Sequence, residues 1–183
     1  MEREDDESFS HVESTVAEGV KRAGSDAHAA VLLVAGEVAR DIRNSGARGA
    51  AMLSTISALA DGTARGAADA GAGIGSVAEG FMIGAMSGAD ETQERTLTVI
   101  GHTADSFVKH AYQSGYDAAE AARGLVVGAA EWAGKCALDA DAAANAAAQG
   151  ALDAADDLNP RIGRKVREAL TSAAIGLIPA KMK

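Results

Sequence analysis

The chain has 183 residues, a formal net charge of −9, and an apolar content of 48% to which aromatics contribute only 3%. The acidic balance disfavours recognition of a phosphate backbone, so no nucleic acid is expected as a partner. The single cysteine, Cys136, excludes an internal disulfide, and the acid-rich residues 1–7, where a secretory leader would be basic, point to a cytoplasmic location.

Most of the apolar residues are alanine. Burying an alanine methyl is worth roughly 0.8 kcal/mol, against about 1.5–3 kcal/mol for a larger aliphatic side chain. Such a sequence has high helix propensity and little bulk for a thick core. The two prolines, Pro160 and Pro179, both lie near the C-terminus and leave the preceding chain free of that kind of helix breaker. The fold class is therefore all-α: long amphipathic helices in an extended antiparallel hairpin or bundle, followed by a short C-terminal helix.

Apolar residues recur every eleven positions, in steps of 4, 4 and 3. One column carries Val12, Val34, Ile56 and Ile100; the next carries Val16, Val38, Met82 and Val126; the third carries Val20, Val31, Ile42, Leu53, Met86, Leu97 and Val108. The first two columns hold no charged residue, in a chain of which 23% is charged. Eleven residues in three turns is roughly 3.67 per turn, so the stripe hardly drifts around a straight helix. A stripe of this kind suits a long helix lying against an apolar surface, or an extended antiparallel pair. Its residues form the candidate contact surface. Charges such as Glu37 and Asp117 fall outside the two clean columns and read as a solvated face.

In chain order, an acidic segment at 1–7 precedes a first helical arm at 8–88 that begins near Ser8. Asn44, Ser45 and Gly46 suit a left-handed C-cap, and a bend is expected at 71–75. Within this arm Gly80, Gly84 and Gly88 recur at a spacing of four, leaving a smooth helix-packing face into which another backbone can settle. Glu79 is the lone charge between positions 70 and 89, so this stretch is also about long enough to span a bilayer, which makes a membrane-inserting glycine-zipper hairpin a further reading. A turn at Ser87-Gly88-Ala89-Asp90, with Asp90 as N-cap and Gln93 in the capping-box position, opens the second arm at 89–157, weakened at Ser114-Gly115.

The tail at 158–183 starts a new helix, with Pro160 suited to the first helical position. Arg161, Arg164, Lys165 and Arg167 flank the apolar series Ile162, Val166 and Leu170, the pattern of a basic amphipathic helix. Contact with an anionic surface is one expectation for these bases. Closure onto the acidic body is the other.

Residues with catalytic chemistry are sparse. His11, His28, His102 and His110 do not form zinc-ligand spacings. His102, Asp105, Ser106 and His110 fall on adjoining turns of one helix, where a Ser/His/Asp or metal role is conceivable, but a solvated polar face is the plainer account. Residues 71–75 complete neither a dinucleotide nor a P-loop fingerprint. No catalytic site, cofactor or metal is expected.

The eleven-residue period, the alanine and glycine richness, and strings such as Thr63-Ala64-Arg65-Gly66-Ala67-Ala68-Asp69-Ala70 resemble the amphipathic repeat proteins: late-embryogenesis-abundant proteins, apolipoproteins and the phasins that coat storage granules. The resemblance covers residues 12–155. Sparse charge and a broad apolar face bring it nearest the phasin type. What it implies is a noncatalytic coat protein bound to a lipid or hydrophobic polymer surface, peripheral on a membrane or granule. The alternative is a structural helical protein that associates with itself, as a homo-oligomer, through its small-residue face.

Overall fold

The computed structural model describes residues 13–22, 26–89 and 93–177, except for the side chains of 93, 94 and 173–177. Among these residues the fold is all-α, as expected. Eight helices follow one another: α1 at 13–22, α2 Ala27–Ser45, α3 Ala50–Ala70, α4 Ile74–Gly88, α5 Gln93–Gln113, α6 Ala118–Lys135, α7 Ala140–Leu158 and α8 Pro160–Leu177. The expected residues 1–7, the helix start near Ser8, Val12 of the stripe and the Asp90 cap lie outside the described residues.

Local chemistry explains where each helix stops. Gly46 and Gly71 end α2 and α3 with φ of 60° and 66°, the left-handed region that a side chain disfavours. Asp26, Asp117 and Asp139 open α2, α6 and α7 by accepting hydrogen bonds from otherwise orphaned backbone N–H groups. Asn159 Oδ1 accepts from Arg161 N at 2.8 Å and starts α8, with Pro160 in the first helical position. The breaks expected at 44–46, 71–75, 114–115 and 158–160 are thus all real turns.

The long arms are nevertheless divided further than the sequence suggests. The chain also turns at 136–139, where no glycine marks the place. Ala137 itself adopts φ 54° there, and Leu138 N donates to Ala133 O across the helix end. Each arm is therefore a series of short antiparallel helices, and the segment at 70–89 is cut by the turn after Gly71. With 15 residues, α4 is about 22 Å long, short of the roughly 30 Å of a bilayer core. Among the described residues no helix is long and apolar enough to cross a membrane.

The helices form two layers. In one, α2, α4, α6 and α8 lie side by side; in the other, α1, α3, α5 and α7. Neighbours within a layer are two places apart in sequence and run parallel, while consecutive helices are antiparallel and cross between layers. The apolar stripe meets at the plane between the layers. Val34, Ala78, Ala122 and Val166 occupy equivalent places on α2, α4, α6 and α8, each 44 positions after the last and each 0% exposed. Four units of eleven make one helical hairpin, so the eleven-residue period is a harmonic of a longer repeat. Phe81 and Phe107 supply the bulk that alanine cannot, with ring centroids 4.8 Å apart at the centre of the core.

Candidate functional site

Within a layer, the helices approach until backbone meets backbone, and glycine makes this possible. A Cβ added to Gly80 would lie 2.6 Å from Val31 O, one on Gly84 2.6 Å from Ala35 O, and one on Gly88 3.0 Å from Ala39 O. Contact partners advance together by four residues, which fixes α2 and α4 as parallel and in register. The expected packing role of this glycine series is met inside the chain itself. Other seams repeat the device: a Cβ added to Gly128 would lie 2.6 Å from Glu79 O, one on Gly124 would strike Gly75, and one on Gly150 would strike Gly101. Each of these glycines follows its contact by 49 positions. Such seams maximise dispersion and Cα–H···O contacts without large side chains.

The seam between α3 and α5 is built otherwise. His102 Nε2 lies 3.0 Å from Leu53 O and 3.0 Å from Ser57 Oγ, and Ser57 Oγ lies 2.9 Å from Ser106 Oγ. One turn on, His110 Nδ1 faces Asp61 Oδ1 at 3.4 Å; Asp61 also pairs with Arg65, and Arg65 with Glu13 of α1. The candidate polar cluster is therefore split. His102, Ser106 and His110 face α3, whereas Asp105 turns toward α7 and holds Lys109 at 2.8 Å. Asp105 and then Asp157, 3.1 Å from the same ammonium, push the Lys109 pKa up against the opposing effect of burial.

This arrangement does not supply Ser57 with a base. A carbonyl oxygen only accepts, so the contact with Leu53 O places a proton on His102 Nε2, and that nitrogen cannot also receive one from Ser57. Ser57 is the member of this cluster that α5 alone could not reveal. It comes from a helix 45 residues earlier, and no local spacing announces it.

The contact stripe is placed mostly indoors. Val16, Val20, Val31, Val34, Val38, Ile42, Ile56, Met82, Met86, Ile100, Val108 and Val126 are buried against other helices of the same chain. Leu53 is half-buried. Leu97 is the exception at 44% exposure, beside a recess of about 110 Å³ that also touches Ile100, Trp132 and Leu138. At the buried positions, a stripe on each short helix is covered by stripes on its neighbours.

The basic tail divides in the same way. Lys165 reaches Asp117 Oδ2 at 2.7 Å, and Arg167 reaches Asp156 Oδ2 at 3.1 Å. Val166 and Ala169 are buried, and Arg123 Nε donates to Ala169 O. The described part of the tail thus closes onto the acidic body, leaving Arg161 and Arg164 exposed. Asp117 is exposed, in keeping with a solvated face, and it also caps α6 and holds Lys165. Burial raises its pKa, but Lys165, the Ala119 N–H and Arg123 together outweigh that and hold it below the ordinary carboxylate range. No known family model, curated protein or solved structure matches this chain.

Proposed function

We propose that the chain is a noncatalytic structural protein: a self-contained helical array whose work is done by its outer faces against a protein partner or a second copy. The observation that supports this reading is the burial of the apolar stripe within one chain. Val34, Ile56 and Ile100 are each 0% exposed, so covering them requires neither a lipid nor a granule surface. A coat function would demand that the layers part and re-expose them, at the cost of the packing between layers, Phe81 against Phe107 included. The outer surface instead carries ion pairs, such as Arg40 with Glu37 and Lys135 with Glu131, each at 2.6 Å, and dispersed apolar residues such as Leu32, Tyr112 and Val127.

The reading is tested by far-UV circular dichroism and light scattering on the purified chain, with and without vesicles of mixed anionic and neutral lipid. A structural array is helical and melts cooperatively in buffer, and vesicles leave its helicity and melting unchanged. A low helicity that rises on adding vesicles would return the phasin-like coat to first place.

A further inference from the structure

The array has two unlike edges, α1 with α2 at one and α7 with α8 at the other. On α2, Gly36 stands one 44-residue repeat before Gly80, and Gly80 one repeat before Gly124. Gly80 and Gly124 are buried against the preceding helix of their layer, at Val31 O and Gly75 O. Gly36 is exposed, and among the described residues nothing lies within 4 Å of an added Cβ. A glycine inside an exposed helix weakens it unless a close approach requires one. The other edge carries the matching half. Gly163 of α8 stands two repeats after Gly75, and a Cβ there would strike the Asp156 carboxylate, a side-chain end that fills the place a further helix takes elsewhere. A second copy set down as the next repeat brings its Gly36 to Gly163 in the 49-position relation by which Gly124 meets Gly75.

The same register fits the other layer. Ser57 with Ser106, and Asp61 with His110, are side-chain pairs at this offset. Between copies their places fall to Asn145 with the second copy's Glu18, and to Gln149 with the second copy's Arg22, all four exposed. An amide N–H there meets a carboxylate, and an amide oxygen meets a guanidinium. Gln149 Nε2 already donates to Asp153 Oδ1 at 2.6 Å, so the incoming guanidinium also finds an acid one turn on. The single like-charge meeting sets the second copy's Arg40 opposite Arg167. Asp156, 3.1 Å from Arg167 and moved aside from Gly163, supplies the counter-charge between them.

We propose that copies of this chain join head to tail, the α1–α2 edge of one seated on the α7–α8 edge of the next, so that both layers continue from copy to copy. The proposal rests on the reading of the chain as a structural array, and it names the partner as a second copy. The two edges differ, so the contact is heterologous and open-ended rather than a closed twofold dimer.

The test is light scattering and sedimentation of the full chain over a rising concentration series. The wild-type mass climbs with concentration and passes beyond the dimer. Gly36→Leu and Asn145→Glu, one on each edge, each weaken association by at least about tenfold. Mixed in equal amounts, they form a dimer and stop there, because one retains its α7–α8 edge and the other its α1–α2 edge. Arg40→Gly installs the glycine that α4 and α6 carry at this place, as Gly84 and Gly128, and strengthens association. A monomer at every concentration, a wild-type mass that halts at the dimer, or no recovery in the mixture would overturn the proposal. The wild-type series decides the matter even where a variant folds poorly. Circular dichroism of the same samples separates the two readings: a helical, cooperatively melting monomer overturns the head-to-tail contact alone, whereas helicity that appears only with vesicles overturns the structural array as well. In dilute solution, where copies do not meet, Gly36 stays open and its substitution reports on the single chain.

Discussion

The α2–α4 and α3–α5 seams both join parallel helices two places apart in sequence, yet they hold by opposite means. At α2–α4, glycine removes every obstacle, and the main chain of one helix rests on the other at Gly80, Gly84 and Gly88. At α3–α5, side chains fill the gap, and Ser57, His102 and Ser106 satisfy one another and the carbonyl of Leu53. The first seam is strict about volume and indifferent to chemistry. The second tolerates bulk and depends on every polar group finding a partner. Alanine-rich helices need both solutions: small residues give contact area through proximity, and polar residues fix which helix pairs with which.

The largest expected effect lies where the layers meet, beneath both seams. Ile56→Lys or Ile100→Lys places an unpaired ammonium at a site that is 0% exposed, which is expected to cost at least about 4 kcal/mol or to unfold the chain. Glu37→Lys, on the outer surface beside Arg40, is expected to cost about 0.5 kcal/mol. Urea melts of the three variants check this, and similar midpoints for all three would contradict the two-layer core.

A medium effect separates the seams themselves. His102→Ala removes the donor to Leu53 O and leaves Ser57 and Ser106 to each other, an expected loss of about 1–3 kcal/mol. His102→Gln, which retains a donor, is expected to recover part of it. Equal stability of wild type and His102→Ala would mean that the polar groups only decorate the α3–α5 seam.

Smaller effects lie at the ends of the array. Asp117→Asn weakens both the cap of α6 and the pair with Lys165, and is expected to cost about 1 kcal/mol near neutrality. The folded pKa of Asp117 is depressed, so its contribution is present above the ordinary carboxylate pKa and is lost as pH falls through the lowered value. The difference between wild type and variant should therefore shrink in acid. Ala137→Gly should stabilise by up to about 1 kcal/mol, since Ala137 holds φ 54° where a side chain is disfavoured. Thermal melts read both changes, and a loss of stability in Ala137→Gly would remove the account of that turn.

The division between what could and could not be read from sequence follows the range of each interaction. Helix ends governed by a local signal were legible: Gly46, Gly71, and Asn159 before Pro160 each mark a boundary by chemistry within a few residues. The turn at Ala137 was not, because an alanine occupies the left-handed position and only Asp139, the following cap, hints at it. The stripe was legible as a pattern but not as a destination. An apolar column looks the same whether a granule or another helix covers it, and the 44-residue spacing that joins Val34 to Ala78, Ala122 and Val166 is hidden beneath the shorter period. Ser57 opposite His102 is a matter of tertiary register alone.

Contact of parallel helices through glycine within a single chain is tested by comparing Gly84→Ala with Gly36→Ala in thermal melts without lipid. Both changes raise intrinsic helix propensity, by about 1 kcal/mol each. Gly36 has nothing within 4 Å of an added Cβ, whereas at Gly84 that atom would meet Ala35 O at 2.6 Å and Val38 Cβ at 2.8 Å. The account predicts that Gly36→Ala raises the melting temperature and that Gly84→Ala lowers it, by an amount corresponding to about 1–3 kcal/mol of overpacking. A rise in both, as expected of helices lying free on a surface, would contradict it.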